Sequence, residues 1–235
     1  MRSVAGRPKR HAAGGARAGS SRRPVARAAR QARAPEAPRA DARPRIGVLS
    51  LQGDFALHAA ALSELGCEPV RVSLPEHLSP ALAALVLPGG ESTTMLRLLE
   101  STGLRAPLEA FVRERPVLGT CAGLILLSRD ADKLPVPTFG VLDVTTARNA
   151  WGRQVHSFTD EVDAPALGGT IPGVFIRAPR ITRVGKDVEV LASYHGEPVG
   201  VRQGNAVALT FHPELTADRR VHAWFLNEVV RAATS

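Results

Sequence analysis

Apolar positions fall into short runs separated by turn residues, and this grouping begins only near Arg45. Ile46-Gly47-Val48-Leu49-Ser50-Leu51 reads as a buried first strand over 45–51. Gln52-Gly53-Asp54 turns the chain, and residues 55–65 carry apolar side chains at helical spacing. Residues 69–72 and 83–87 read as the next two strands, the latter stopped by Pro88-Gly89-Gly90. Ser92 is placed to cap a helix through Met95, Leu96, Leu98 and Leu99. A helix over 104–113 follows, then a fourth strand over 117–119 that ends at Cys121. Strands alternating with helices predict a parallel sheet covered on both faces.

Past residue 130 the pattern changes. Gly140-Val141-Leu142-Asp143-Val144, Gly173-Val174-Phe175-Ile176, Val188-Glu189-Val190-Leu191 and Ala206-Val207-Ala208-Leu209 are short β-like runs between turns. They predict antiparallel extension of the sheet. Residues 221–231 close the chain as an amphipathic helix. There are no internal repeats, so one α/β domain is expected over 45–235. Ligands of open α/β sheets bind beyond the carboxyl ends of the strands.

Charge separates residues 1–44 from this domain. They hold 12 of the 30 Lys and Arg and only Glu36 and Asp41 as acids, a net +10. The remainder holds 18 basic and 20 acidic residues, a net −2. A segment rich in Arg, Ala, Pro and Gly without aromatics cannot bury enough apolar surface to offset its ordering entropy. A disordered arm is the expectation. Binding of nucleic acid or another polyanion, an organelle transit segment, and an upstream start codon never used in the cell remain open. No secretory apolar core and no apolar stretch of membrane-spanning length occurs. Two cysteines, Cys67 and Cys121, make no disulfide framework, which fits a cytoplasmic location. Cys67 reads as a packed thiol between a helix and a strand.

Candidate chemistry concentrates after the strands. Pro116-Val117-Leu118-Gly119-Thr120-Cys121-Ala122-Gly123-Leu124 is an apolar run, a tight turn and a second apolar run. That is how a strand-to-helix elbow presents a nucleophile, and a thiolate gains from the helix amides there. Phe211-His212-Pro213-Glu214-Leu215 supplies a base and a carboxylate. Glu214 reaches His212 only if the chain bends between them. Gly89 and Gly90 free backbone amides that, with that of Ala122, form a candidate oxyanion hole. Arg148 and Arg177 are candidates to grip a substrate carboxylate. The Walker lysine pattern is absent, and no cluster has metal-ligand spacing, so neither metal nor cofactor is expected.

These strings, in this order, resemble class I glutamine amidotransferases and more closely the glutaminase subunits of pyridoxal 5'-phosphate synthase, the PdxT/SNO family. The resemblance rests on Gly47-Val48-Leu49-Ser50-Leu51-Gln52-Gly53, Pro88-Gly89-Gly90-Glu91-Ser92-Thr93-Thr94-Met95 and Gly119-Thr120-Cys121-Ala122-Gly123. Arg148-Asn149 with Gly152-Arg153-Gln154, Val174-Phe175-Ile176-Arg177-Ala178-Pro179, and Phe211-His212-Pro213-Glu214-Leu215-Thr216 extend it. It implies a three-layer α/β/α, flavodoxin-like domain with a mostly parallel central sheet. It implies Cys121 as nucleophile, His212 as base and acid, and Glu214 as its orienting carboxylate. Gly90, Glu91, Ser92, Arg148, Ile176 and Arg177 would bind L-glutamine, and Gln52 would lie near the oxyanion region. Ammonia would pass to a (β/α)8 synthase subunit in a twelve-plus-twelve assembly. Trp151 and His156 stand where the family usually has Phe and Asp, and residues 1–44 have no counterpart in its pattern. Nucleic acid is expected as a partner only non-specifically, through residues 1–44. The alternatives are an amidotransferase feeding another synthase, a cysteine hydrolase or peptidase of related fold, and a non-catalytic protein with a basic arm.

Overall fold

The structure is a computed structural model that describes residues 43–148 and 157–233. The expectations for the arm up to residue 42, and for Asn149, Trp151, Gly152, Arg153, Gln154 and His156, lie outside the described residues.

The first half alternates as the sequence predicts. Strand β1 (Arg45–Leu49), helix α1 (Phe55–Glu64), β2 (Glu68–Val72), β3 (Ala84–Leu87), α2 (Ser92–Ser101), α3 (Arg105–Glu114), β4 (Val117–Thr120) and α4 (Ala122–Leu127) follow one another. Then come β5 (Ser128–Ala131), β6 (Leu142–Ala147), β7 (Ser157–Ala164), β8 (Gly169–Ile176), β9 (Arg180–Val184), β10 (Glu189–Tyr194), β11 (Glu197–Gln203) and β12 (Ala206–Leu209). Helix α5 (Arg220–Trp224) continues into a π-helical stretch, Phe225–Val230.

A nine-stranded sheet has the order β2-β1-β3-β4-β12-β11-β10-β7-β8. The five strands from β2 to β12 run parallel, and the rest pair antiparallel. The sheet is therefore mixed, with a parallel centre and an antiparallel wing. One expectation needs correction. The run around Leu142 does not extend this sheet, because β6 joins β5 and β9 in a separate three-stranded sheet.

Strand alternation sorts the core into two faces. Ile46, Val48, Ala84, Val86 and Leu118 pack with Leu62 of α1 and with Val221, Phe225 and Val229 near the C-terminus. Leu49, Leu85, Leu87 and Val117 pack with Met95 and Leu99 of α2, Leu108 of α3 and Leu124 of α4. Helices cover both faces, which gives three layers. Burying an aliphatic side chain of this kind contributes about 1.5–3 kcal/mol.

Candidate active site

Two neighbouring parallel strands deliver the chemistry. β4 and β12 pair from Val117↔Ala206 to Thr120↔Leu209, although they are far apart in sequence. Cys121 follows β4, and its amide donates to Leu209 O at 2.8 Å. Its backbone turns to φ 50°, ψ −101°, a region that costs a non-glycine residue on the order of 1–3 kcal/mol. Beyond this elbow α4 presses onto the sheet. A Cβ on Gly123 would stand 2.1 Å from Leu87 O, so the close approach needs glycine. The Cys121 thiol is buried, and Sγ donates to Ile176 O at 3.9 Å.

His212 arrives from the other strand. Its amide donates to Val174 O of β8 at 2.9 Å, and Pro213–Leu215 then forms a 3-10 turn. That turn supplies the bend the sequence reading required. Nδ1 of His212 lies 2.7 Å from Glu214 Oε1. Burial works against charge on His212, but hydrogen bonds with Cys121 and Glu214 outweigh it and raise its pKa from 6.5 to about 10. Burial likewise opposes charge on Glu214, yet hydrogen bonds from His212 and His58 hold its carboxyl well below the usual range. Gly89 lies against the imidazole. A Cβ there would fall 2.2 Å from His212 Cε1.

Cys121 and His212 open into a cleft of about 250 Å³, whose walls include Gly89, Gly90, Glu91, Ser92, Arg148, Ile176 and Arg177. All six residues expected to bind glutamine thus line one cleft. Gly53, Asp54 and Ile125 also line it and were not among the expected site residues. Ala122, Gln52 and Glu214 do not form its wall. Gln52 works from behind, where Oε1 accepts the Glu91 amide at 3.2 Å and steadies the loop.

Helix α2 is capped differently from the expectation. Glu91, not Ser92, is the N-cap, and its carboxylate accepts from the amides of Thr93 at 3.1 Å and Thr94 at 2.7 Å. Ser92 is instead the buried first residue of the helix. Burial opposes the charge on Glu91, but these contacts bring its pKa down to about 2. The same carboxylate meets Arg148 Nη2 at 3.1 Å. Arg148 also donates to Thr93 Oγ1 at 3.2 Å and Lys133 O at 3.0 Å. The cleft therefore holds a paired arginine whose position is fixed by α2. Arg177 stands at φ 43°, directly after β8.

Two histidines behind Glu214 escaped the sequence reading. His58 and His222 are fully buried, and His58 Nδ1 lies 3.0 Å from His222 Nε2. His58 Nε2 stands 3.4 Å from Glu214 Oε2 and 3.4 Å from Thr120 Oγ1. Their signal was positional. Each sits on the buried stripe of its helix, with Ala61 and Leu62 in α1 and with Val221 beside Phe225 at the C-terminus. Cys67 is buried, and its thiol is pushed up by that burial against a weaker pull from Arg231, as a packed and unreactive cysteine should be.

Among the described residues no group of His, Cys, Asp or Glu is arranged to hold a metal, and no helix is long and apolar enough to cross a membrane.

The SNO glutamine amidotransferase family model matches residues 48–231. A pyridoxal 5'-phosphate synthase subunit PdxT from Mycobacteroides abscessus is 51% identical over 192 residues, 80% of this chain and 98% of the relative. The subunit of the same name from Thermotoga maritima is 49% identical over 187 residues, 79% of this chain and 99% of the relative. Among solved structures, one described as a glutamine amidotransferase aligns with TM-score 0.74 and 46% identity over 79% of this chain and 98% of its own. A chain of PurLQS from Thermotoga maritima shares the fold, with TM-score 0.59 and 19% identity over 79% of this chain and 99% of its own.

Proposed function

Because the chain belongs to the SNO glutamine amidotransferase family, we propose that it hydrolyses L-glutamine to L-glutamate and ammonia and passes the ammonia to a pyridoxal 5'-phosphate synthase subunit. The observation that carries this reading is the convergence of Cys121 and His212 from adjacent parallel strands, with Glu214 2.7 Å behind the imidazole.

His212 carries the proton taken from the Cys121 thiol, and Cys121 Sγ attacks the side-chain amide carbon of glutamine. Gly89 and Gly90 in the loop, with the amide of Ala122, face the oxyanion, and Gln52 holds that loop in register. The C–N bond breaks as His212 returns its proton to nitrogen, releasing ammonia and leaving a glutamyl thioester on Cys121. Water then adds to the thioester carbonyl, His212 takes its proton, and the C–S bond breaks to give glutamate and free Cys121. Glutamine and water balance the reaction without a metal or cofactor. Gly90, Glu91, Ser92, Arg148, Ile176 and Arg177 form the wall that orients the amino-acid end of the substrate.

The relatives' name, a synthase subunit, supports a partner that consumes ammonia. We assign a (β/α)8 synthase in a twelve-plus-twelve assembly, in the cytoplasm. Ammonia release from glutamine, measured with and without that synthase, tests the reading. Hydrolysis should require Cys121 and vanish in Cys121→Ala, and a glutamine-derived electrophile should label Cys121 and spare Cys67. Synthase activity driven by ammonium salt should not need this chain. Glutamine turnover by Cys121→Ala, or a synthase that uses glutamine equally well alone, would sink the proposal.

A further inference from the structure

The sequence motifs stop at Glu214, but the polar chain in the structure does not. Glu214 Oε1 is taken by His212 at 2.7 Å. Oε2 is fully buried and, among the described residues, makes no hydrogen bond of ordinary geometry, while His58 Nε2 stands 3.4 Å from it. An anionic oxygen left without a donor in such a place is costly.

Proton positions follow from the geometry. His222 Nδ1 is buried with no hydrogen-bond partner among the described residues. Buried N–H groups without an acceptor are rarer than under-used acceptors, so the His222 proton belongs on Nε2. Nε2 faces His58 Nδ1 at 3.0 Å, which makes that nitrogen the acceptor. The one ring proton of His58 is then on Nε2, the nitrogen that stands 3.4 Å from Glu214 Oε2. The opposite tautomer would point a lone pair at a carboxylate.

We infer that His58 is a positioning residue for glutamine hydrolysis, holding Glu214 in place and ionised through Nε2–H, and that His222 fixes the tautomer that lets it do so. The inference rests on the glutaminase reading. A chain then runs from Cys121 through His212, Glu214 and His58 to His222, and ties the nucleophile to the C-terminal helix. His58 meets Glu214, His222 and Thr120. His222 faces His58 and Glu214, with Arg219 and Glu64 beyond, themselves paired at 2.6 Å. Burial first, then His58, bring His222 down to about 3 against the pull of Glu214 and Glu64, so it works as a neutral donor.

The pH dependence has a definite sign. Burial alone raises Glu214, and His58 is one of the groups that lower it. Losing the His58 donor lets the carboxylate protonate at higher pH, so the acid limb of kcat moves up. The experiment measures kcat, KM and their pH profiles for glutamine hydrolysis by the full chain with its synthase, in wild type, His58→Leu, His58→Gln and His222→Phe. In His58→Leu, kcat should fall by about 10–100-fold, as losing a group that orients another's side chain does. KM should stay within about twofold, as expected when only transition-state stabilisation is lost. The acid limb should shift upward, and His58→Gln, which keeps a donor near the Nε2 position, should restore most of both. Nitrogen NMR of the wild-type imidazoles gives a readout that no folding defect can spoil. It should find the proton on Nε2 in His58 and His222, and His222→Phe should weaken that preference in His58. A His58→Leu enzyme with unmoved kcat and acid limb, or a wild-type His58 protonated on Nδ1 alone, overturns the inference. Wild type that releases no ammonia from glutamine even with the synthase overturns the glutaminase reading instead.

Discussion

The charged His212 ring is held from two sides, by the Cys121 sulfur and by the Glu214 carboxylate, and this governs how the site responds to pH. The folded pKa, about 10, lies above the unfolded value near 6.5. The stabilisation is therefore fully present below about pH 6.5 and fades as pH rises through 10. Cys121→Ala removes one of the two raising hydrogen bonds. Its His212 ring should titrate at lower pH than in wild type, and the alkaline loss of stability should finish earlier. Proton NMR of the His212 ring and denaturant melts at several pH values would check both, and an unmoved His212 titration would disprove the coupling. At this scale much of the site was legible, because Cys121 and the His212–Glu214 pair sit in short local strings. His58 and His222 were not, since one histidine in an apolar helical stripe carries no mark of what lies across the core. Only the packing of α1 against the Pro213–Leu215 turn, with His222 across from His58, brings them together.

Helix α2 shows how an element can set a site. Its N-cap carboxylate, Glu91, holds two helix amides and Arg148 at once. The sequence suggested Ser92 for this task by residue type. Glu91 takes it because its longer side chain folds back onto Thr93 and Thr94 while its own amide is held by Gln52. Glu91→Ala should therefore act twice. It should cost about 0.5–2 kcal/mol of stability through the lost cap. It should also raise KM for glutamine, because Arg148 loses its anchor. Chemical denaturation and steady-state kinetics separate the two effects, and a variant with weakened stability but unchanged KM would show that Arg148 holds its place without Glu91. The second sheet escaped the sequence reading for a related reason. Ser128–Ala131 is short and mostly polar, and only its pairing with Leu142–Ala147 makes it a strand.

Pro44 stands just before β1, and its carbonyl accepts the Glu68 amide at 2.9 Å. The backbone bonding between the first two strands therefore includes Pro44. A deletion of residues 1–42 keeps this bond and every residue assigned to the cleft. It should leave kcat and KM for glutamine unchanged while removing the whole basic excess, so any salt-dependent retention on polyanions should drop sharply. Activity and polyanion-column elution of the truncated and full chains would show this. A truncated protein that folds but no longer responds to the synthase would make the arm part of the interface.

Sheet order carries a consequence in time. β12 lies between β4 and β11, so the centre of the sheet is filled by one of the last strands to be made. A growing chain on the ribosome carries its thiol long before its imidazole exists, and β4 waits with one edge unpaired. Nucleophile and base meet only when nearly the whole domain has been synthesised and has closed around them. An unfinished chain is thereby inert, and the ability to break down glutamine switches on with completion of the fold.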